Sequence, residues 1–129
     1  MAEPVWLDQV LVLALYEDVV AASGGASGVR DDGLLESALA RPLNRFLYEG
    51  VSDLLELAAT YAVGIARNHP FIDGNKRMAF IALGQFLLDN RVVLTASDED
   101  ATAVMMSVAK GDTDIAGLTN WLEATTERF

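Results

Sequence analysis

Residues 52–90 read SDLLELAATYAVGIARNHPFIDGNKRMAFIALGQFLLDN, two long apolar stretches on either side of a short polar loop. The first opens with Ser52, Asp53 and Glu56, a hydroxyl to cap the first amides and acids to complement the helix dipole. It is apolar on nearly every face, and Pro70 forces the chain out of the helix at about His69. The second runs from about Gly74 to Asn90 and is again apolar on most faces. Helices without a polar face are buried ones. The pair therefore predicts an all-α core in which HPFIDGNKR, residues 69–77, connects the two central helices.

Outward from this pair the signals stay helical. Val5, Leu7, Val10, Leu11, Leu13, Ala14 and Val20 recur at helical spacing, and Gly24-Gly25 closes that first helix. The glycines of ASGGASGVRDDG (22–33) read as a flexible connection, since no G-x-x-x-x-G-K-[ST] is present. Asp31 or Asp32 caps a short helix, GLLESALA, which Pro42 is expected to stop. RPLNRFLYEGV (41–51) has no clear period and reads as irregular. VVLT (92–95) reads as a brief strand or an extended link. Ser97 starts a further helix ending near Lys110-Gly111, and Asp112 or Thr113 caps the last, TDIAGLTNWLEATTE. The expected architecture is one compact all-α domain, residues 1–129, a bundle of about six helices.

Composition narrows the chemistry. The chain has no cysteine and His69 is its one histidine, which excludes thiolate and imidazole zinc sites; a metal here would be held by oxygens, and Mg2+ is the one expected. Nineteen acidic against 9 basic residues give a net charge of −10, so nucleic acid is not expected as a direct partner. No apolar run approaches the roughly 18 residues of a membrane span, and MAEPVWLDQV lacks the pattern of a secretion signal, so the expected address is the cytoplasm. Lys76 and Arg77, with Arg67 and Arg91 nearby, are a local exception to the acidity and point to a confined anion site.

The loop gives that site its parts. First-turn amides of a helix have no helical partners and lie at the positive end of its dipole, a position that fits phosphate. Gly74 lets the backbone approach a ligand, and Asn75 can add its amide. Lys76 and Arg77 add full charge, the arginine as a planar fork. Asp73, itself an anion, suits a Mg2+ that bridges carboxylate and phosphate. His69 can take a proton from a hydroxyl nucleophile as general base. Phe71 and Ile72 are expected to pin the loop by burying their side chains. Each residue also has an ordinary structural explanation: a dipole contact for His69, a cap and an Arg77 pair for Asp73, a turn cap for Asn75, a snorkelling Lys76.

HPFIDGNKR resembles the signature of the Fic/Doc family, H-x-F-x-[DE]-G-N-[GK]-R, which joins two central helices of an all-α fold. Lys76 stands where Fic members carry glycine and Phe80 where they carry a second arginine. Both departures resemble the Doc (death-on-curing) branch, as does GVRDDGLLESALARP (28–42). The resemblance implies the toxin of a toxin–antitoxin pair, a protein kinase that transfers the γ-phosphate of ATP to a threonine of elongation factor Tu and blocks translation. By the same resemblance His69 is the general base, Asp73 the Mg2+-holding or phosphate-orienting acid, Gly74 and Asn75 the anion cradle, and Lys76 and Arg77 the phosphate-stabilising cations. A lysine at 76 fills the space that glycine leaves for a β-phosphate, which favours the kinase over transfer of AMP to a protein hydroxyl. Doc-type sequences can carry asparagine where this chain has Ile81, which keeps a catalytically silent binding module as the alternative of a different class. SDLLEL at Ser52 and TNWLEA at Thr119 lack the last residue of the inhibitory [ST]-x-x-x-E-[GN] helix. Restraint is therefore expected from a separate antitoxin with a disordered C-terminal segment.

Overall fold

The computed structural model describes residues 3–24 and 27–129. Gly25, half of the glycine pair expected to end the first helix, lies outside them. Six helices follow in order: α1 (Gln9–Ser23), α2 (Asp32–Glu49), α3 (Leu54–Asn68), α4 (Asn75–Asp89), α5 (Asp98–Lys110) and α6 (Ile115–Thr125). Two short strands, β1 (Val92–Leu94) and β2 (Thr126–Arg128), pair antiparallel with Val93 opposite Glu127. The all-α reading holds, with this two-stranded pair added, its strands separated in sequence by α5 and α6.

α3 is the axis of the molecule. Every residue from Leu57 to Ala66 is buried, and α2, α4, α5 and α6 all pack on it. α4 supplies the second buried face through Met78, Ala79, Ala82, Leu83, Phe86 and Leu87. Phe86 gathers the aromatics, with Tyr61 at 5.1 Å and Trp6 at 6.0 Å between ring centroids. Gly64 of α3 packs against α2: a Cβ there would stand 3.4 Å from the Ala38 Cβ. Gly64→Leu is therefore expected to push the helices apart and cost about 1–3 kcal/mol, measured as a lower midpoint in thermal or urea unfolding.

α2 corrects the expectation at Pro42. The helix runs through this proline to Glu49, so residues 41–49 are helical rather than irregular. An interior proline costs about 3 kcal/mol, and packing beyond it offsets that cost. Pro42 is buried, Phe46 sets its ring edge-on to Trp6 at 5.5 Å, and half-buried Arg45 donates to Glu56 (2.7 Å) and to Thr60 (2.8 Å) on α3. Tertiary contacts thus decide a segment whose local sequence signals a break.

The remaining corrections are local. α3 is capped by Asp53, which accepts from Leu55 N, and not by Ser52. α6 is capped by Asp114, because Asp112 and Thr113 are used instead to close α5: both donate their amides to Ser107 O. The last helix stops at Thr125 rather than running through Glu127, as the extended backbone of Thr126 carries the chain into β2. No helix among the described residues is long and apolar enough to cross a membrane.

Tyr61 ties the N-terminal segment to this core. It is fully buried, its Oη accepts from Leu7 N (3.2 Å), and burial pushes its phenol up to about 12, partly opposed by that amide. A folded-state value above the unfolded one of 10 means stability that is complete below pH 10 and lost as pH rises towards 12. The full difference corresponds to roughly 3 kcal/mol. Urea unfolding between pH 9 and pH 11.5 is expected to show a steeper loss for the wild type than for Tyr61→Phe.

Candidate active site

The loop expected to carry the chemistry lies where the two central helices meet. α3 ends at His69, whose backbone is left-handed (φ 50, ψ 55), and α4 begins after Gly74, also left-handed (φ 83). Between them Phe71 is fully buried and stacks on Tyr16 of α1, ring centroids 4.1 Å apart. Tyr16 Oη donates to Asp73 O (3.1 Å) and accepts from Gly28 N (3.2 Å), joining the loop to the segment before α2. Val29 bridges Phe71 in an antiparallel arrangement, with Ile72 N donating to Gly28 O (3.0 Å). Ile72 corrects the sequence expectation: 55% exposed, it lines the cleft instead of pinning the loop.

Asn75 is 6% exposed and organises the loop internally. Its Oδ1 accepts from Phe71 N (3.0 Å) and its Nδ2 donates to Phe71 O (2.9 Å), which fixes the orientation of the amide. The second Nδ2 hydrogen then faces His69 Nδ1 at 3.3 Å. So arranged, Nδ1 is the acceptor and a neutral imidazole carries its proton on Nε2. The side-chain amide expected to help cradle an anion is thus engaged within the loop.

The start of α4 differs from that of the other helices. Asp8, Asp31, Asp53, Ser97 and Asp114 cap α1, α2, α3, α5 and α6 with a side-chain oxygen, whereas Gly74 offers α4 none. Asp73 accepts from Gly74 N (2.8 Å) and does not reach the amides of the first turn. The amides of Asn75, Lys76 and Arg77 have no acceptor, and neither the Lys76 nor the Arg77 side chain makes a hydrogen bond or ion pair among the described residues. The Asp73–Arg77 pair that would have explained these residues structurally does not form. Open amides, a positive dipole end and two unpaired cations are the features that suit an anion.

This site opens into a cleft of about 900 Å³. His69, Asp73, Gly74, Asn75, Lys76 and Arg77 all line it, so the fold brings every expected residue together. Arg67 and Arg91, read from the sequence as neighbours of this cluster, do not line it. The rest of the lining is largely apolar: Phe80 comes from α4 itself, while Val19 of α1 and Ala101, Met105 and Met106 of α5 come from elements the sequence reading left out of the site. Asp98 and Thr102 of α5 add polar groups to the lining. Asp73 is the carboxylate nearest the anion site in sequence, and no group of three or more His, Cys, Asp or Glu side chains among the described residues is arranged to hold a metal. This donor set fits a Mg2+ that arrives with phosphate oxygens and water and takes one carboxylate from the protein.

The sequence of the Fic/DOC family matches residues 6–87, a span that includes α1 to α3, the whole loop and α4 up to Leu87. The protein kinase doc of Escherichia phage P1 is 34% identical over 111 residues, covering 86% of this chain and 87% of that protein. The toxin Doc of Mycolicibacterium smegmatis is 42% identical over 106 residues, covering 77% of this chain and 82% of its own. The chain belongs to the Fic/Doc family.

Proposed function

We propose that this protein is the toxin of a toxin–antitoxin pair, an ATP-dependent protein kinase that transfers the γ-phosphate to a threonine of elongation factor Tu. The observation that carries the reading is the uncapped start of α4, with free amides and the unpaired Lys76 and Arg77 facing the same cleft as His69. Phosphoryl transfer needs little covalent chemistry from a protein; it needs phosphates held in place and their charge stabilised, which this arrangement can do. The similarity to proteins named protein kinase doc and toxin Doc supports the choice of reaction. Asp73 would hold Mg2+, which when bound neutralises phosphate charge.

In this reading His69 removes the proton of the target hydroxyl. To accept it on Nε2 the ring must carry its other proton on Nδ1, so the 3.3 Å contact from Asn75 has to open when nucleotide and substrate bind. Exposed Ile72 and Met106, on the apolar side of the cleft, support an antitoxin segment that folds onto this face. The deciding experiment is incubation of the protein with Mg2+, elongation factor Tu and ATP labelled at the γ or, separately, the α position. Label from γ alone is expected. Label from α would replace the kinase with AMP transfer, and nucleotide binding without label from either would leave a silent binding module.

A further inference from the structure

Three successive carbonyls at the end of α3 accept hydrogen bonds from a single residue outside the loop. Arg30 donates through Nη2 to Asn68 O (3.0 Å), through Nε to His69 O (2.8 Å) and through its backbone amide to Pro70 O (2.7 Å). It makes no ion pair among the described residues, although Asp31 and Asp32 follow it in sequence. The last carbonyls of a helix lack partners and carry partial negative charge, and a guanidinium answers both at once with two donors in one plane.

Arg30 grips one of the two non-glycine residues with positive φ among the described residues. His69 is a non-glycine residue in the left-handed region, a conformation that persists only where its surroundings enforce it. Its ring has a single, long polar contact, to Asn75, so the direction of the imidazole is set chiefly by its backbone. Arg30 does not line the cleft.

We propose that Arg30 is a positioning residue for His69, holding the end of α3 in the left-handed turn from which the imidazole enters the cleft. The proposal rests on the reading of His69 as the general base. Its test uses a signal that does not depend on catalysis: His69 is the chain's one histidine, so imidazole resonances in a 1H–15N spectrum report on this ring alone. In Arg30→Ala those resonances are expected to move. The kcat for γ-phosphate transfer is expected to fall about a hundredfold with KM for ATP unchanged. Arg30→Lys, which keeps the charge but not the fork, should lie between the two. Guanidinium ion added to Arg30→Ala at millimolar concentration should return both the resonances and kcat towards the wild type. Arg41→Ala, at an exposed arginine with no partner among the described residues, controls for lost charge and should change neither. His69 resonances that coincide with the wild type in both Arg30 variants would overturn the proposal, as would a rise in KM for ATP with kcat unchanged. If Arg30→Ala does not fold, Arg30→Lys decides. If the wild type transfers no label, the functional reading fails while the imidazole spectra still settle the role of Arg30.

Discussion

Replacing His69 with alanine is expected to lower kcat for γ-phosphate transfer by about 10²- to 10⁴-fold, the range that a positioned general base contributes. ATP binding should survive, because the open amides of α4, Lys76 and Arg77 are all retained. Rate and affinity therefore separate: labelled transfer disappears while calorimetric ATP binding stays close to the wild type. The wild-type ring offers a second readout. Free, it should show the tautomer protonated on Nε2 that the Asn75 contact imposes, and with ATP, Mg2+ and protein substrate the one protonated on Nδ1. Transfer by His69→Ala within tenfold of the wild type would remove the histidine from the chemistry.

The central pair of helices and the loop between them were legible in the sequence because their signals are local and mutually consistent. α3 and α4 are too apolar to lie anywhere but inside, and Pro70 and Gly74 mark the two ends of the connection. What the sequence hid was set by contacts far along the chain. Pro42 reads as a stop, and only the grip of Arg45 on Glu56 and Thr60 and of Phe46 on Trp6 shows why the helix continues. β2 has no signal of its own, since three residues pair only because β1 lies beside them. In α1, Val10 shares the apolar spacing yet is exposed, while Tyr16, absent from that pattern, is buried and supports the loop. Asn75 was legible as part of the site but not in its role, since its amide could face a ligand or the backbone of Phe71 equally well. Arg30 stood within a stretch that resembles the Doc branch, but nothing in GVRDDG says which carbonyls a guanidinium 38 residues from Asn68 will find.

Lys76→Gly is expected to reduce γ-phosphate transfer about a hundredfold, the cost of removing one preorganised charge from a developing phosphoryl transition state. Lys76 stands in the first uncapped turn of α4, exposed and without a partner, so the loss is charge at the cleft and not a core contact. Glycine in a first turn leaves the open amides in place and adds only a modest loss of helix stability, about 1 kcal/mol. Thermal unfolding should accordingly change little while transfer collapses. On the proposed reading, in which Lys76 occupies the space that glycine leaves in Fic members, the same substitution lets a nucleotide seat its β-phosphate there and present the α-phosphate to the hydroxyl. Label from α-labelled ATP is therefore expected to appear in Lys76→Gly where the wild type shows none. Arg77, one residue on and also unpaired, supplies the contrast. Arg77→Ala removes a charge without opening that space, so it should weaken γ transfer and yield no α label. If Lys76→Gly and Arg77→Ala lose γ transfer alike and neither gains α label, Lys76 acts by charge alone and does not determine which phosphate is transferred.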